Sequence, residues 1–390
     1  MDFPGYQLPE ALRLLQQTVR RIVQEEIVPL EREMDPEAID LDPDHWHRLA
    51  AMTRAAGLWA PAAPKEYGGG GLGMFAYTVL MEEMAQHRNG LYNPAYGIFG
   101  RYPPNVCYEG TPEQIEKYVI PTIREGKRVF FAVSEPSGGS DPAGAIQARA
   151  VRDGDHWILN GTKTWISGAL QAEWGIVFVR TDPTKGRQGV SCFFVERDTP
   201  GLSVRPIPVI RPYYPAELVF QDCVVPHRNL LGKEGEGLEM ALRLLTKNRF
   251  PYAAANIGVA VAALRMAIAY AKQRVTFGQP LSSRQAIQWM LADSEVEIRA
   301  ARWLTWEGAW KVDRGEEHRH EASIAKLYSS EVLGRVVDRA VQIHGGYGVA
   351  KELPLERWYR EARVRRIGEG PSEVQRMVIA RNLLRDRVSL

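Results

Sequence analysis

Apolar residues recur at helical spacing through LRLLQQTVRRIVQEEIVPLERE (12–33) and MFAYTVLMEEMAQ (74–86), which predicts helices in both stretches. GTPEQIEKYVIPTIREG (110–126) opens with Thr111-Pro112, a helix start, with Glu113 placed for a capping box. From about residue 127 the period changes. VFFAVSEP, AIQARAVRDGDHWILNGTKTWISG, WGIVFVRT, GVSCFFVERD, LSVRPIPV and AELVFQDCVVP are short runs rich in β-branched and aromatic residues. Asp153-Gly154 and Asn160-Gly161 carry the hairpin signal between such runs. Strands this closely spaced predict a small antiparallel barrel or sandwich rather than βαβ units. After LLGKEGEG (230–237) the helical period returns, with helices expected over 236–272, 284–313, 319–344 and 371–386. The expected organisation is an α+β chain of three domains: helical over 1–126, β over 127–235, and a helical bundle over 236–390.

Composition narrows the function classes. The 390 residues are 45% hydrophobic, enough for a large core and several domains. The net charge of +2 gives no global field to draw in nucleic acid or an anionic membrane, so neither partner is expected. Cys107, Cys192 and Cys223 are scattered and odd in number, which predicts reduced thiols in an intracellular, cytoplasmic protein. The start, MDFPGYQLPEALRLL, has no signal-peptide pattern, and the apolar run AAANIGVAVAAL (253–264) ends at Arg265, short of a membrane span.

GGGGLG (68–73) matches a dinucleotide fingerprint in letters only, because the prolines of WAPAAPKEY take the place of the strand it needs. The pairs His45/His47 and His318/His320 lack a nearby carboxylate or thiol set, so no metal site is expected. FAVSEPSGGSDPAG (131–144) is more informative. A strand ends at Ser134, and small residues then leave the backbone bare through Ser140 and Asp141, offering N–H groups and hydroxyls to a polar ligand. WISG (165–168) sets an aromatic face beside a hydroxyl, which suits a flat heterocycle. In IGEGPSEVQR (367–376), Glu369 stands between two glycines, just after Arg360, Arg363, Arg365 and Arg366. Pro371 suits the first position of a helix, with Glu373 in its first turn. A carboxylate partly stripped of water there gains a raised pKa, suited to proton abstraction; as a plain structural feature it is an N-cap carboxylate on a surface helix.

These segments, with EEIVPLERE (25–33), PKEYGGGGLG (64–73), GTPEQIEKY (110–118), FQDCVVPHRNLLGKEGEG (220–237), RVTFGQPL (274–281) and AVQIHGGYG (340–348), resemble the acyl-CoA dehydrogenase family over nearly the whole chain. The resemblance implies that family's fold: an N-terminal helical domain, a middle antiparallel β-barrel and a C-terminal four-helix bundle. It implies FAD as cofactor and an acyl-CoA substrate. It also implies electron-transfer flavoprotein as partner, and a homodimer or homotetramer whose neighbouring subunits complete each site. By similarity, Phe131, Val133, Ser134, Gly139, Ser140, Trp165, Ile166 and Ser167 lie along the cofactor, with Ser140 also meeting the CoA arm. Arg274, Thr276, Phe277 and Gln285 reach the neighbouring subunit's FAD, while Gln342, Gly345 and Gly346 match the pyrophosphate-and-adenine segment and Glu373 joins the cofactor set. Asn248, Arg249, Gly368 and Gly370 face the substrate. Glu369 matches the base, with its N–H and a ribityl hydroxyl holding the thioester carbonyl. The alternative base position, on the earlier helix, holds Asn248, which cannot take a proton.

Two departures stand out. Gly368 replaces an aromatic common before the base, so a wider pocket for bulky, branched or cyclic acyl groups is expected. RPYYPAEL (211–218) is unusual before the closing strand; Arg211, with Arg101, is a cation for structure, for CoA phosphates or for an acidic acyl tail. The expected reaction is α,β-dehydrogenation to a 2,3-enoyl-CoA. A flavin oxidase or an elimination enzyme on a CoA thioester is the alternative, and nucleic-acid binding on the same scaffold is disfavoured by the balanced charge.

Overall fold

A computed structural model of the chain describes residues 7–385. The fold divides into two compact units. One comprises residues up to Met52, Leu72–Ile98 and Lys247 onward; the other comprises Thr53–Gly71 and Phe99–Thr246.

The second unit is built on one eight-stranded sheet in the order β6-β7-β3-β2-β4-β5-β8, with β1 pairing β4. Its strands are β1 (Val129–Ala132), β2 (Arg149–Asp153), β3 (His156–Ile166), β4 (Trp174–Arg180), β5 (Val190–Glu196), β6 (Leu202–Pro206), β7 (Ala216–Pro226) and β8 (Leu230–Leu231). Most pairings are antiparallel, but β1 runs parallel to β4, a departure from the all-antiparallel expectation. Phe130, Trp157, Leu159, Val177, Phe193 and Phe220 bury one side-chain layer of the sheet. Asp153 and His156 face each other across a two-residue turn in which Gly154 takes φ 57°, so Asp153-Gly154 is the hairpin the sequence indicated. Asn160-Gly161 is not a turn. It lies inside β3, where the pairing with β7 shifts register. Gly161 adopts φ 137° there, and a Cβ would fall 2.6 Å from Ala148 Cα. The same dipeptide thus serves as a bulge because a backbone must pass close by. The capping box at Thr111 also differs in detail: it closes on Gln114 rather than Glu113, because Gln114 occupies the third helical position.

The first unit is helical. Its elements include α1 (Glu10–Ile22), α2 (Pro43–Ala55, which ends across the unit boundary), α3 (Met74–Met84), α4 (Gly237–Gln273, which begins in the other unit), α5 (Gln285–Asp313), α6 (Arg319–His344), α7 (Leu355–Arg365) and α8 (Ser372–Leu384). The sequence pattern missed α2 and α7. The α7 segment carries few apolar residues because buried charge replaces them: Arg357 and Glu361 pair at 3.0 Å in the interior. Helices α4, α5 and α6 meet at small residues, with Phe250 seated where a Cβ on Gly308 would fall 2.2 Å away. By length and composition α4 can cross a membrane, contrary to the reading of its apolar run as too short, but 67% of its most apolar window is buried inside the fold. The hairpin β9 (Val275–Thr276) and β10 (Gln279–Pro280) follows α4. The start of α8 also differs from expectation. Pro371, with ψ 160°, caps the helix from outside and Ser372 is its first residue. The last expected residue of that helix, 386, lies outside the described residues.

Candidate active site

In the β unit, the strand ends carry the chemistry. Phe131 is half-buried on β1, Val133 is buried, and Ser134 is half-buried beyond them. The Thr164 N–H donates to the Ser134 carbonyl at 3.0 Å, lacing this segment to the end of β3. Beneath the lacing is a buried ion pair absent from the sequence reading: Lys163 Nζ lies 2.7 Å from Glu135 Oε1 and donates to the Val133 carbonyl at 3.0 Å. Glu135 also accepts the Gln147 and Ala148 N–H groups at 2.8 and 3.0 Å. Burial pushes the Lys163 ammonium down to about 8, against the pull of Glu135. The available signal was a lysine inside an otherwise strand-like run, a position that must be paired if it faces inward.

The ladder slips between Lys163 and Ile166, and Trp165 takes a left-handed φ of 61°. The slip turns its indole out of the sheet and leaves it 58% exposed, while Ile166 next to it is buried. The bulge re-aims an apolar ring from the core face to the surface. Ser167 is exposed, and its Oγ accepts from Arg211 Nη2 at 3.1 Å, which places Arg211 beside this hydroxyl. Arg101 instead donates to the Gly126 carbonyl. Gly139 and Ser140 are exposed, and a Cβ on Gly139 would lie 3.5 Å from Ser134 Oγ. An outward indole, hydroxyls at 134 and 167, and a bare loop fit a flat heterocycle with a hydrogen-bonding edge.

In the helical unit, Glu369 sits in the turn between α7 and α8 with φ 57°, followed by Gly370 at φ 86°. A left-handed glutamate costs about 1–2 kcal/mol, so the surroundings hold it there. The restraints are visible. Arg249 Nε and Gln375 Nε2 both donate to the Glu369 carbonyl at 3.3 Å, and Gln375 Nε2 donates to the Gly370 carbonyl at 3.0 Å. A Cβ on Gly370 would strike Gln375 Nε2 at 2.5 Å. Asn248 lies close enough to the Glu369 carboxyl to lower its pKa, and Oε2 of that carboxyl is buried without a partner among the described residues. Burial holds this carboxyl above the ordinary carboxylate range, although Arg249, Asn248, Arg365 and Lys326 pull it down.

Of the arginines before the turn, Arg363 is exposed and the other three are engaged. Arg365 is buried, with Nε on Asn256 Oδ1 at 2.6 Å and Nη1 on the Leu91 carbonyl at 3.0 Å. Arg360 pairs with Glu356 and Glu37, and Arg366 with Glu331 at 3.4 Å. Sequence reasoning missed Lys326, a buried lysine on α6 that donates to the Arg366 carbonyl at 3.2 Å. Burial, with Arg365 and Arg249 nearby, pushes its ammonium down to about 7, while Glu369 and Glu331 raise it. Its signal was spacing: Ala322, Lys326, Ser329 and Leu333 share the buried face of α6.

Other predicted residues occupy separate elements. Arg274 and Gln285 are exposed, Thr276 is half-buried, and Phe277 is 98% exposed at the hairpin tip with φ 48°. Gln342, Gly345 and Gly346 are exposed at the end of α6, where a Cβ on either glycine would meet nothing within 4 Å. His344 beside them is buried against Tyr270. Gly368 is half-buried, and Glu373 is exposed in the first turn of α8. Within the 68–73 motif Gly69 and Gly70 pack closely, a Cβ on Gly69 falling 2.3 Å from the Ala63 carbonyl oxygen, while Gly68 faces open space. A cavity of about 870 Å³ elsewhere in the helical unit is lined by the ion pairs Arg20–Glu83 and Arg302–Glu82 and by Trp303, and holds none of the predicted residues.

Three family models match the chain in succession: the acyl-CoA dehydrogenase N-terminal domain over residues 9–126, the middle domain over 130–223 and the C-terminal domain over 235–384. The chain belongs to the acyl-CoA dehydrogenase family. It is 37% identical over 390 residues to the mitochondrial short-chain specific acyl-CoA dehydrogenase of Mus musculus, covering 98% of this chain and 92% of that one. It is 38% identical over 387 residues to a 3-(aryl)acrylate reductase of Clostridium sporogenes, covering 96% and 99%. The butyryl-CoA dehydrogenase structure from Megasphaera elsdenii matches with a TM-score of 0.87 at 34% identity, covering 98% and 100%. Family membership makes the protein an oxidoreductase acting on CH–CH bonds, with the family fold of helical, β and helical domains, in a family that depends on FAD.

Proposed function

We propose that this acyl-CoA dehydrogenase-family chain is an FAD-dependent acyl-CoA dehydrogenase that makes a 2,3-enoyl-CoA. The observation that carries this reading is Glu369: a carboxyl whose Oε2 is buried without a partner among the described residues, and whose affinity for a proton is raised by burial. Oε2 takes the proton from the carbon next to the thioester. Arg249 and Gln375 pin the Glu369 carbonyl, which holds this turn in place; we assign the Glu369 N–H, in the preceding peptide, to the thioester carbonyl, where negative charge develops. Asn248 fixes the carboxyl and is itself unable to act as base. FAD, when bound, supplies the acceptor for the hydride that leaves the β-carbon. Phe131, Val133, Ser134, Trp165, Ile166 and Ser167 would hold its ring, Gly139 and Ser140 the adjoining loop side and the CoA arm, and Gln342, Gly345, Gly346 and Glu373 its remaining length. Arg274, Thr276, Phe277 and Gln285 serve the neighbouring subunit in a homodimer or homotetramer. A nearly fully exposed Phe277 at a hairpin tip supports that assembly, since a partner surface would cover it. Electrons pass to an electron-transfer flavoprotein.

The purified protein is expected to be yellow. Its flavin band should bleach without oxygen on addition of a saturated acyl-CoA. A yellow protein that no saturated acyl-CoA bleaches sinks the dehydrogenase reading. Bleaching only by a reductant, followed by reoxidation with an enoyl-CoA, would support a reductase, a reading favoured by the C. sporogenes relative's name. Rapid reoxidation by air after substrate reduction would support an oxidase.

The reaction needs Glu369 ionised, so the bleaching rate should rise with pH through a midpoint above the ordinary carboxylate range. Lys326 is charged below about 7 and pulls the Glu369 value down. Lys326→Met is therefore expected to move the rising limb to higher pH. A limb that stays in place or moves to lower pH rules out this coupling.

A further inference from the structure

Gly368 stands immediately before the base and lacks a side chain, yet the space beside it is bounded. A Cβ at this position would lie 3.3 Å from Tyr252 Oη. Tyr252 is one helical turn beyond Asn248 on α4, so the two share a face, and Asn248 lies near enough to the Glu369 carboxyl to lower its pKa. The tyrosine is held from several sides. Its hydroxyl donates to the Arg365 carbonyl at 2.9 Å, and Arg365 Nη2 donates back to the Tyr252 carbonyl at 2.7 Å. The Arg365 guanidinium carbon lies 3.2 Å from the Tyr252 ring centroid, a cation–π stack. Arg365 is itself fixed by Asn256 and the Leu91 carbonyl.

We propose that Tyr252 is a specificity-determining residue. It supplies from α4 the aromatic wall that position 368 lacks, and it restricts the site to acyl groups without a branch at the carbon next to the thioester. This deepens, and rests on, the acyl-CoA reading above. Gly368 admits the tyrosine hydroxyl and does not enlarge the pocket. The expectation of a pocket widened for branched groups at this position is thereby reversed. A ring clamped by a stacked guanidinium and two reciprocal backbone hydrogen bonds cannot swing aside for a methyl branch as a lone loop side chain can. The wall stands beside Gly368, the residue before the base, so it acts on substituents at the α-carbon rather than at the far end of the chain.

The test uses the FAD-loaded enzyme with butyryl-CoA and isobutyryl-CoA, which differ in the α-branch. Tyr252→Ala is expected to raise the isobutyryl-to-butyryl ratio of kcat/KM by about tenfold or more, the scale of one methyl group in a fitted pocket. Tyr252→Phe keeps the stacked ring and should hold the ratio within about threefold of wild type. An unchanged ratio in Tyr252→Ala, with FAD content and thermal midpoint retained, overturns the proposal. Should Tyr252→Ala fail to fold, Gly368→Ala carries the test. Its Cβ meets the Tyr252 hydroxyl in the wild type but not in Tyr252→Phe, so it should lower isobutyryl-CoA turnover more in the former. Equal losses in both backgrounds overturn the assignment. Calorimetric binding of the same two thioesters to Glu369→Gln enzyme, with and without Tyr252→Ala, reads the preference without turnover. Wild-type enzyme that no acyl-CoA bleaches, but whose Tyr252→Ala form binds isobutyryl-CoA better than wild type does, would overturn the dehydrogenase reading and leave the wall in place.

Discussion

Glu369→Gln should bind FAD and acyl-CoA and fail to turn over, with the anaerobic bleaching rate reduced by about 10⁴-fold, the upper range for a positioned general base. Such a loss corresponds to about 5.5 kcal/mol of barrier. Glutamine keeps the length, the left-handed turn and a hydrogen-bonding group facing Asn248. It cannot take a proton, and the nearest alternative on α4 is the Asn248 amide. The bonds that pin the main chain, from Arg249 and Gln375, go to the carbonyl of residue 369, which the substitution keeps. FAD content, the acyl-CoA dissociation constant and the thermal midpoint should therefore stay near wild type. Residual activity within about tenfold of wild type would show that another group removes the proton.

Lys163→Met is expected to produce the second large effect, on stability and cofactor retention together. It leaves the Glu135 carboxylate buried without its cation, which costs about 3–5 kcal/mol when one member of an interior pair is removed. Glu135 retains the Gln147 and Ala148 N–H groups, so the loss falls short of unfolding the domain. The same lysine holds the Val133 carbonyl, one residue before Ser134, and lies two residues before Trp165. Loosening it slackens both segments assigned to the flavin. The variant should show a lowered thermal midpoint and release FAD on gel filtration. Adding Glu135→Gln should restore part of the midpoint, because the stranded charge is removed. Equal midpoints for wild type and Lys163→Met would show that the pair contributes nothing.

The order of helical, β and helical segments was legible because patterns of period 3.6 and period 2 are separated cleanly along this chain. The limits were chemical. Asn160-Gly161 and Asp153-Gly154 read alike, and only the passing Ala148 backbone makes the first a bulge. Helix α7 was invisible because Arg357, Glu361 and Arg365 are interior residues, where a pattern reading expects apolar ones. Glu369 was conspicuous as a carboxylate between glycines, but the pinning by Arg249 and the nearby buried Lys326 join residues far apart in sequence. The neighbour of Gly368 was not legible either: the tyrosine hydroxyl that a Cβ there would meet belongs to α4, 116 residues earlier (368 − 252).

The left-handed backbone at Glu369 has an evolutionary side. Glycine adopts φ 57° without the steric penalty a glutamate carries, and it would also relieve the interior of an unpartnered carboxyl oxygen. Glu369→Gly should accordingly melt no lower than wild type, and by about 1 kcal/mol of strain relief it should melt higher, while being inert. Selection for thermal tolerance alone would erode this position first. The enzyme keeps its base only while turnover is under selection.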